Sequence, residues 1–229
     1  MRELYNHTLI PIRKNSQINR QITAQCGKTT RATVWFLWRY DLAFAQRNAL
    51  MTTRTETITL GGGCFWCTEA VFDRVSGVVD VESGYCNGRP ELFPPSYEQV
   101  CTGQTGFVEV VKLVFDPEQI GLRDLLTIFF GIHDPTSLNR QGNDVGTQYR
   151  SGIYWHDPAQ EAVAREVIAA LPDAARVVTE VVPVALYCAA EAYHQDYFLH
   201  HPHQGYCAFV VAPKIDTFRR VFAQHVRPD

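Results

Sequence analysis

Two cysteines three residues apart, Cys64 and Cys67, have the residue type and the spacing that most directly suggest chemistry. Residues three apart lie on the same face of a helix, so the two thiols would be neighbours. A C-x-x-C pair at a helix start is typical of thiol–disulfide redox sites, although zinc sites share the spacing. A zinc site needs a second pair of ligands, and the other cysteines are scattered singly. We therefore favour redox chemistry over metal binding, with a buried structural thiol as the alternative.

The elements around this pair indicate how Cys64 would be activated. Residues 55–60 alternate and are rich in β-branched side chains, which predicts a strand, and residues 64–75 have the apolar spacing of a helix. Three glycines at 61–63 allow a tight turn between them. Cys64 then lies in the first helical turn, where unpaired amide N–H groups and the helix dipole favour an anion. We expect this position to lower the pKa of the thiol and make Cys64 nucleophilic.

Glu109 is a carboxyl in the middle of an alternating strand, residues 107–115. By alternation it shares a face with Phe107 and Val111. Such an acid is either exposed at an edge or held among apolar groups, where burial would raise its pKa and suit it to donate a proton. The alternation alone favours the exposed position.

Other side chains give weaker signals. Tyr97, Asp144 and Tyr149 could converge through hydrogen bonds, but their spacing alone does not require it. Phe65 and Trp66 flank the nucleophile and could form an apolar slot for a small hydrophobic group, although most such pairs belong to a core.

The composition limits the classes of partner. The chain has 229 residues, a net charge of −3 and a 46% hydrophobic fraction, which indicates a globular protein without nucleic acid or an anionic membrane as its main partner. No apolar run approaches the length needed to span a bilayer. Seven cysteines, an odd number in a chain this large, indicate a reducing compartment, and we expect a cytoplasmic monomer.

The first fifty residues differ from the rest. They contain eight basic and two acidic residues, a balance of +6 that leaves −9 for the remainder. The apolar run 34–38 is followed by charged residues and makes a poor signal-peptide core. The scarcity of serine also weakens a transit-peptide interpretation. We predict that residues 1–50 are an unstructured extension or a wrong start, and that the catalytic domain comprises residues 51–229 and begins at Met51.

Beyond Met51, predicted strands and helices alternate. Strands are predicted at 78–85, 107–115, 150–156 and 177–184, and helices at 96–101, 122–132, 158–171 and 214–224. Residues 137–149 are predicted to form a loop. This order predicts one domain with a sheet covered mainly on one face.

Several motifs in order resemble the peptide-methionine sulfoxide reductases of the A type, and the match covers nearly everything after Met51 and nothing before it. They are GCFW at 63–66, SGY at 83–85, PSYEQVC at 95–101, TGFVEVV at 105–111, HDPTSLNRQGNDVGTQYRS at 133–151, AEAYHQDY at 190–197 and GYC at 205–207. The resemblance implies an α+β fold. We expect a two-layer sandwich with a ferredoxin-like mixed sheet, covering helices and a long irregular carboxy-terminal segment.

The resemblance also implies a repair function under oxidative stress. Cys64 would attack the sulfur of methionine S-sulfoxide, in proteins or as the free amino acid. Glu109 would protonate the departing oxygen, with Tyr97 and Tyr149 as hydrogen-bond donors and Asp144 ordering the site. Phe65 and Trp66 would hold the substrate methyl group. Thioredoxin would then reduce the disulfide that follows the sulfenic acid, and neither a metal nor an organic cofactor is required.

The second thiol of that disulfide remains open. Cys207 matches the family's carboxy-terminal GYC and lies in a turn-rich segment, so we favour it, with Cys67 as the competitor. A general thiol–disulfide oxidoreductase built on Cys64 and Cys67 is the alternative function.

The chain also departs from the family pattern. Phe107 stands where the family usually has His, and Cys86 stands at a position usually held by a small residue. Cys188 and Ala189 replace an aromatic residue and often a proline.

Overall fold

A computed structural model describes residues 54–228, and the prediction for residues 1–50 lies outside them. The strands are β1 (Glu56–Gly62), β2 (Val78–Cys86), β3 (Val108–Phe115), β4 (Arg140–Gln141), β5 (Asp144–Val145), β6 (Ser151–Trp155), β7 (Glu180–Pro183) and β8 (Cys188–Ala189). The α-helices are α1 (Phe65–Phe72), α2 (Tyr97–Cys101), α3 (Leu122–Ile132), α4 (Pro158–Ala169), α5 (Tyr197–His200) and α6 (Ala212–Val221), which follows a π-helix at Cys207–Val211.

Six strands form one mixed sheet in the order β7-β6-β1-β3-β2-β8. β6 and β7 are parallel, and the other pairs are antiparallel. β4 and β5 form a separate two-stranded hairpin. β1 lies in the middle of the sheet, between β6 and β3, and its residues are buried from Ile58 onward.

The helices α1, α3, α4 and α6 cover one face of the sheet, which is the two-layer α+β arrangement that the sequence predicts. α3 contributes a continuous apolar stripe, in which burial of each large side chain stabilises the fold by about 1.5–3 kcal/mol. The stripe contains Leu125, Leu126, Ile128 and Phe129. The opposite face carries a smaller cluster of Cys86, Val108, Val110 and Tyr154, packed against the loop between β7 and β8.

Some predicted boundaries are wrong. The first helix ends at Phe72 rather than at residue 75, and the last begins two residues early, at Ala212. The strand predicted at 177–184 is limited to Glu180–Pro183. The loop at 137–149 contains the β4–β5 hairpin and a 3₁₀ turn, because two-residue strands carry no periodic signal.

No helix in the described part of the chain is long and apolar enough to cross a membrane.

Candidate active site

The turn between β1 and α1 sets the position of Cys64, which is the N-cap of the helix and only 7% exposed. Gly63 has φ of +92°, a region that side chains disfavour, and a Cβ built there would lie 2.6 Å from the Cβ of Gln141. The glycine therefore lets the β4–β5 hairpin pack directly against the helix start. The strand-to-helix junction that the sequence predicts is confirmed.

Glu109 lies beside this junction, on the helix-covered face of β3, and is 2% exposed. Its Oε2 accepts a hydrogen bond of 3.2 Å from the backbone N–H of Phe65. Burial raises the pKa of Glu109 to about 8, although that hydrogen bond opposes the shift. The exposed position that alternation alone favours is wrong, because β3 is central in the sheet and both of its faces are covered there.

The Cys64 thiol does not have the lowered pKa that the helix start predicts. Burial raises the pKa of Cys64 well above its usual value, and the neighbouring Cys67 and Glu109 add to the shift. The physical reason is mainly burial, which disfavours the charged thiolate. In addition, the amide N–H of Phe65 at the helix start is bonded to the Glu109 carboxyl.

Cys67 is the second thiol, one turn along α1, and its backbone N–H donates to the Cys64 carbonyl at 3.1 Å. A hydrogen bond from the Cys64 thiol lowers the pKa of Cys67 to about 7 against the effect of burial, and the charge of Lys214 lowers it further. The Tyr206 hydroxyl lies 3.9 Å from the Cys67 sulfur. The structure therefore pairs Cys64 and Cys67 as the spacing predicts.

Cys207 is fully buried at the start of the π-helix, and its backbone N–H donates to Gln204 Oε1 at 3.2 Å. Burial raises the pKa of Cys207, and the nearby Cys67 adds to the shift. The third thiol thus lies on the Cys67 side of the pair.

Asp144 is brought to the two thiols by the β4–β5 hairpin. The Tyr206 hydroxyl donates to Asp144 Oδ2 at 2.7 Å and so links the hairpin to the carboxy-terminal segment above Cys67. Sequence reasoning did not single out Tyr206, although it stands inside the GYC motif and its position beside Cys207 was the available signal.

Tyr97 and Tyr149 lie within the electrostatic influence of Glu109. Burial and a hydrogen bond to Cys101 raise the pKa of Tyr97, and burial followed by the Glu109 charge raises the pKa of Tyr149. Both hydroxyls therefore stay protonated at neutral pH and can donate hydrogen bonds.

Phe65 and Trp66 differ in exposure. Phe65 is 1% exposed and packs against Tyr85 at 5.8 Å, whereas Trp66 is half-buried and stacks on Tyr197 with centroids 3.8 Å apart and planes 7° apart. The Trp66 indole N–H donates to His194 Nδ1 at 3.1 Å. The indole orientation is therefore fixed by the stack on one ring face and by the hydrogen bond at its N–H edge.

Glu69 is a further buried carboxyl that sequence reasoning missed. It is 3% exposed and accepts hydrogen bonds from the Ser83 hydroxyl at 2.9 Å and from the backbone N–H of Tyr197 at 3.3 Å. Burial raises the pKa of Glu69 to about 7. The carboxyl ties α1 to β2 and to the residue on which Trp66 stacks. Its partners are distant in sequence, so no local pattern could reveal this.

The residues that depart from the family pattern lie around the sheet. Phe107 is fully buried and its ring occupies the space where a side chain at Gly88 would project. Cys86 lies in the cluster on the opposite face, and Cys188 pairs with Tyr85 in the β2–β8 ladder. All six cysteines of the described residues are free thiols, and no group of three or more His, Cys, Asp or Glu among those residues is arranged to bind a metal.

Comparison with known proteins decides the family. The family model described as "Peptide methionine sulfoxide reductase" matches residues 56–226. The chain belongs to the peptide methionine sulfoxide reductase family. The chain is 54% identical over 178 residues to peptide methionine sulfoxide reductase MsrA of Polynucleobacter asymbioticus, a match that covers 76% of this chain and 92% of that protein. It is 49% identical over 174 residues to the MsrA of Saccharolobus solfataricus, covering 75% of this chain and 97% of the relative.

Solved structures of this reductase family have the same fold. Reduced Mxr1 from Saccharomyces cerevisiae matches with a TM-score of 0.63 and 38% identity over 68% of this chain and 91% of that one. Methionine sulfoxide reductase A of Corynebacterium diphtheriae matches with a TM-score of 0.60 and 39% identity, over 68% and 78% of the two chains. The resemblance and the α+β fold class are confirmed. The protein is an oxidoreductase that reduces methionine sulfoxide.

Proposed function

We propose that the protein reduces methionine S-sulfoxide, in proteins and as the free amino acid, through attack by Cys64. The observation that carries this proposal is the Glu109 carboxyl, buried beside Cys64 and bonded to the first amide of α1. With a pKa of about 8, this carboxyl holds a proton at neutral pH, which is the requirement for a general acid.

The first step transfers the sulfoxide oxygen to Cys64, while Glu109 first donates and then recovers a proton. The Cys64 sulfur attacks the sulfoxide sulfur, the S–O bond breaks, and the oxygen is transferred to Cys64 as a sulfenic acid while methionine leaves. Glu109 gives its proton to the sulfoxide oxygen and recovers the proton of the Cys64 thiol. A thiol and a sulfoxide together contain the same atoms as a sulfenic acid and a thioether, so no net proton is consumed. This cycle accommodates the raised pKa of Cys64, since the thiol is deprotonated within the reaction.

The surrounding side chains hold the sulfoxide. Tyr149 donates a hydrogen bond to its oxygen, and Tyr97 does so after its hydroxyl turns away from Cys101; burial keeps both hydroxyls protonated. Asp144 orders the site through Tyr206. Phe65 and Trp66 form the apolar wall for the substrate methyl group, and the stack on Tyr197 supports the fixed orientation of that wall.

The sulfenic acid is resolved inside the protein. The sequence favours Cys207 for this step, whereas the geometry favours Cys67, whose thiol is hydrogen-bonded to that of Cys64. We propose that Cys67 forms the first disulfide with Cys64. Cys207 then attacks the Cys67 sulfur and releases the Cys64 thiol. Thioredoxin reduces the resulting Cys67–Cys207 disulfide by thiol exchange, and we place this repair cycle in the cytoplasmic response to oxidative stress.

The alternative function, general thiol–disulfide exchange, is favoured by the paired thiols alone. It leaves the buried Glu109 carboxyl without a role, because disulfide exchange moves no oxygen.

One assay separates the two functions. The purified protein is given each epimer of methionine sulfoxide, free and in a peptide, with dithiothreitol as reductant, and methionine release is measured. We expect turnover of the S epimer alone, and loss of all turnover in Cys64→Ser. Cys188→Ser, which changes a thiol outside the site, is the matched control and should retain activity. Reduction of neither epimer refutes the proposal, and reduction of insulin disulfides without sulfoxide turnover supports the alternative.

A further inference from the structure

Lys214 lies on α6 and, together with Cys67, lines a narrow recess that is closely packed by the surrounding side chains. The other walls of the recess are Gly62, Thr68, Phe129, Ile132 and His133. The lysine is partly buried, and it makes no ion pair with any carboxylate of residues 54–228. Its charge is therefore available to the groups that share the recess.

His133 does not compete with Lys214 as a cation in this recess. Its Nδ1 lies 2.6 Å from the Phe129 carbonyl oxygen and its Nε2 lies 2.8 Å from the Ser151 hydroxyl. Burial lowers the pKa of His133 to about 4, and the charge of Lys214 lowers it further. At neutral pH the imidazole is uncharged, so Lys214 is the one positive charge among the residues lining the recess.

The remaining groups that face Cys67 are neutral or negative. They are Cys64 on its own helix, Glu109 on β3, Asp144 on β5, and Tyr206 and Cys207 on the carboxy-terminal segment. Hydrogen bonds from Cys64 and Tyr206 favour a thiolate at Cys67, whereas burial and the charge of Asp144 disfavour it. The Lys214 charge adds to those hydrogen bonds, and it is the contribution that comes from a cation.

We propose that Lys214 is a positioning residue for the second half of the reaction, where its charge holds Cys67 as the thiolate that attacks the Cys64 sulfenic acid. This inference rests on the proposed function, in which Cys67 is the first resolving thiol. In the step, a Cys67–Cys64 S–S bond forms and the S–O bond of the sulfenic acid breaks. The leaving hydroxide becomes water with one proton, which balances the proton that Cys67 lost on ionising. The Cys64 hydrogen bond is the main cause that lowers the pKa of Cys67 to about 7, and the Lys214 charge acts in the same direction.

The structure also indicates why Lys214 should leave the first half-reaction unchanged. Burial is the main cause of the pKa shifts of Cys64 and Glu109, and Lys214 is not among the causes of either shift. Removing the lysine should therefore shift the pH profile of disulfide formation without changing methionine release. A residue that merely supported the fold would affect both.

The test uses the full chain carrying Cys207→Ser, so that Cys67 is the resolving thiol, and compares Lys214 with Lys214→Met. The reduced protein is mixed with one equivalent of methionine S-sulfoxide and quenched at intervals between pH 5.5 and 9.5. Methionine released reports the first step, and loss of free thiols reports the disulfide. Lys214→Arg keeps the charge, and Arg219→Met removes an exposed charge from the same helix as a matched control.

We expect Lys214→Met to raise the midpoint of the disulfide-forming step by about one pH unit. A thiolate of higher pKa is intrinsically more nucleophilic, so the step should slow about threefold at pH 6 and quicken about threefold at pH 9. The two pH profiles therefore cross, which a loss of structure would not produce. Lys214→Arg and Arg219→Met should follow the parent profile, and the methionine burst should be equal in all four proteins.

The outcomes are distinguishable. An unshifted disulfide profile in Lys214→Met overturns the role of the lysine while leaving the reductase mechanism intact. Absence of any disulfide in the parent Cys207→Ser protein, with normal methionine release, shows that Cys67 is not the resolving thiol. That result also overturns the role of the lysine. Absence of the burst itself contradicts the proposed function.

Discussion

Glu109 takes the amide N–H of Phe65 that would otherwise be available to a Cys64 thiolate. Burial disfavours the charged form of both Cys64 and Glu109. Both groups therefore keep their protons at neutral pH. Cys64 stays a thiol until the substrate arrives, and Glu109 holds the proton that the substrate oxygen needs.

This arrangement predicts the pH dependence of the sulfoxide step. The folded pKa of Glu109 is about 8, so the general acid is protonated below that pH and is lost as the pH rises through it. We expect single-turnover methionine release to fall above pH 8 in the parent protein. Glu109→Gln, which cannot donate a proton, should be about 10²–10⁴-fold slower at pH 7 and lack that falling limb.

The matched control is Glu118→Gln, which neutralises an exposed carboxyl in the turn after β3. It should keep both the rate and the falling limb. If the limb at pH 8 persists in Glu109→Gln, another group supplies the proton.

At the scale of elements, long periodic segments are the part of the fold that the sequence predicts well. The bounds of α3, Leu122–Ile132, agree with prediction because its apolar stripe is continuous and His133-Asp134-Pro135 ends it. The β4–β5 hairpin and the π-helix at Cys207–Val211 could not be predicted, because each is too short for a repeating pattern to be recognised. Both of these elements carry site residues.

The same limit explains which site residues were found. Cys64 and Cys67 stand in a local pattern that suggests chemistry on its own, whereas the role of Glu109 came from the resemblance to the family. Tyr206 acts through Asp144, 62 residues away, and Glu69 acts through Tyr197, 128 residues away. Contacts at such separations follow from sheet order and loop packing, which the sequence pattern does not specify.

The β1–α1 turn should be sensitive to the size of the residue at 63. Gly63→Ala combines strain at φ of +92° with a Cβ 2.6 Å from that of Gln141, so we expect it to cost about 3 kcal/mol or more of unfolding free energy. Gly142→Ala, at φ of +60° with nothing within 4 Å, bears the strain alone and should cost about 1–2 kcal/mol. Urea unfolding measures both.

The clash predicts a specific rescue. Adding Gln141→Gly to Gly63→Ala removes the side chain in the way and should recover part of the lost stability, whereas adding it to Gly142→Ala should not. Equal costs for the two alanine variants would show that Gln141 does not pack on the turn as described.

At the scale of the whole molecule, the site depends on nearly every part of the described chain. The nucleophile comes from the β1–α1 turn, the acid from β3, Asp144 from the β4–β5 hairpin, and Tyr206 and Cys207 from the carboxy-terminal segment. Such a site forms only when the sheet and the final segment are both in place. Activity should therefore be lost together with global unfolding rather than before it.

That dependence gives a final prediction about the extent of the domain. Each of the site residues lies between β1, which begins at Glu56, and α6, which ends at Val221. The first fifty residues carry a net charge of +6, whereas the remainder carries −9. We expect a chain that begins at Met51 to unfold at the same urea concentration as the full chain and to reduce methionine S-sulfoxide at the same rate. A chain that begins at Leu60 is the control, because it removes most of β1 and its pairing with β3 and β6, and it should fail to fold. Loss of stability or of activity in the Met51 chain would show that residues 1–50 contribute to the catalytic domain.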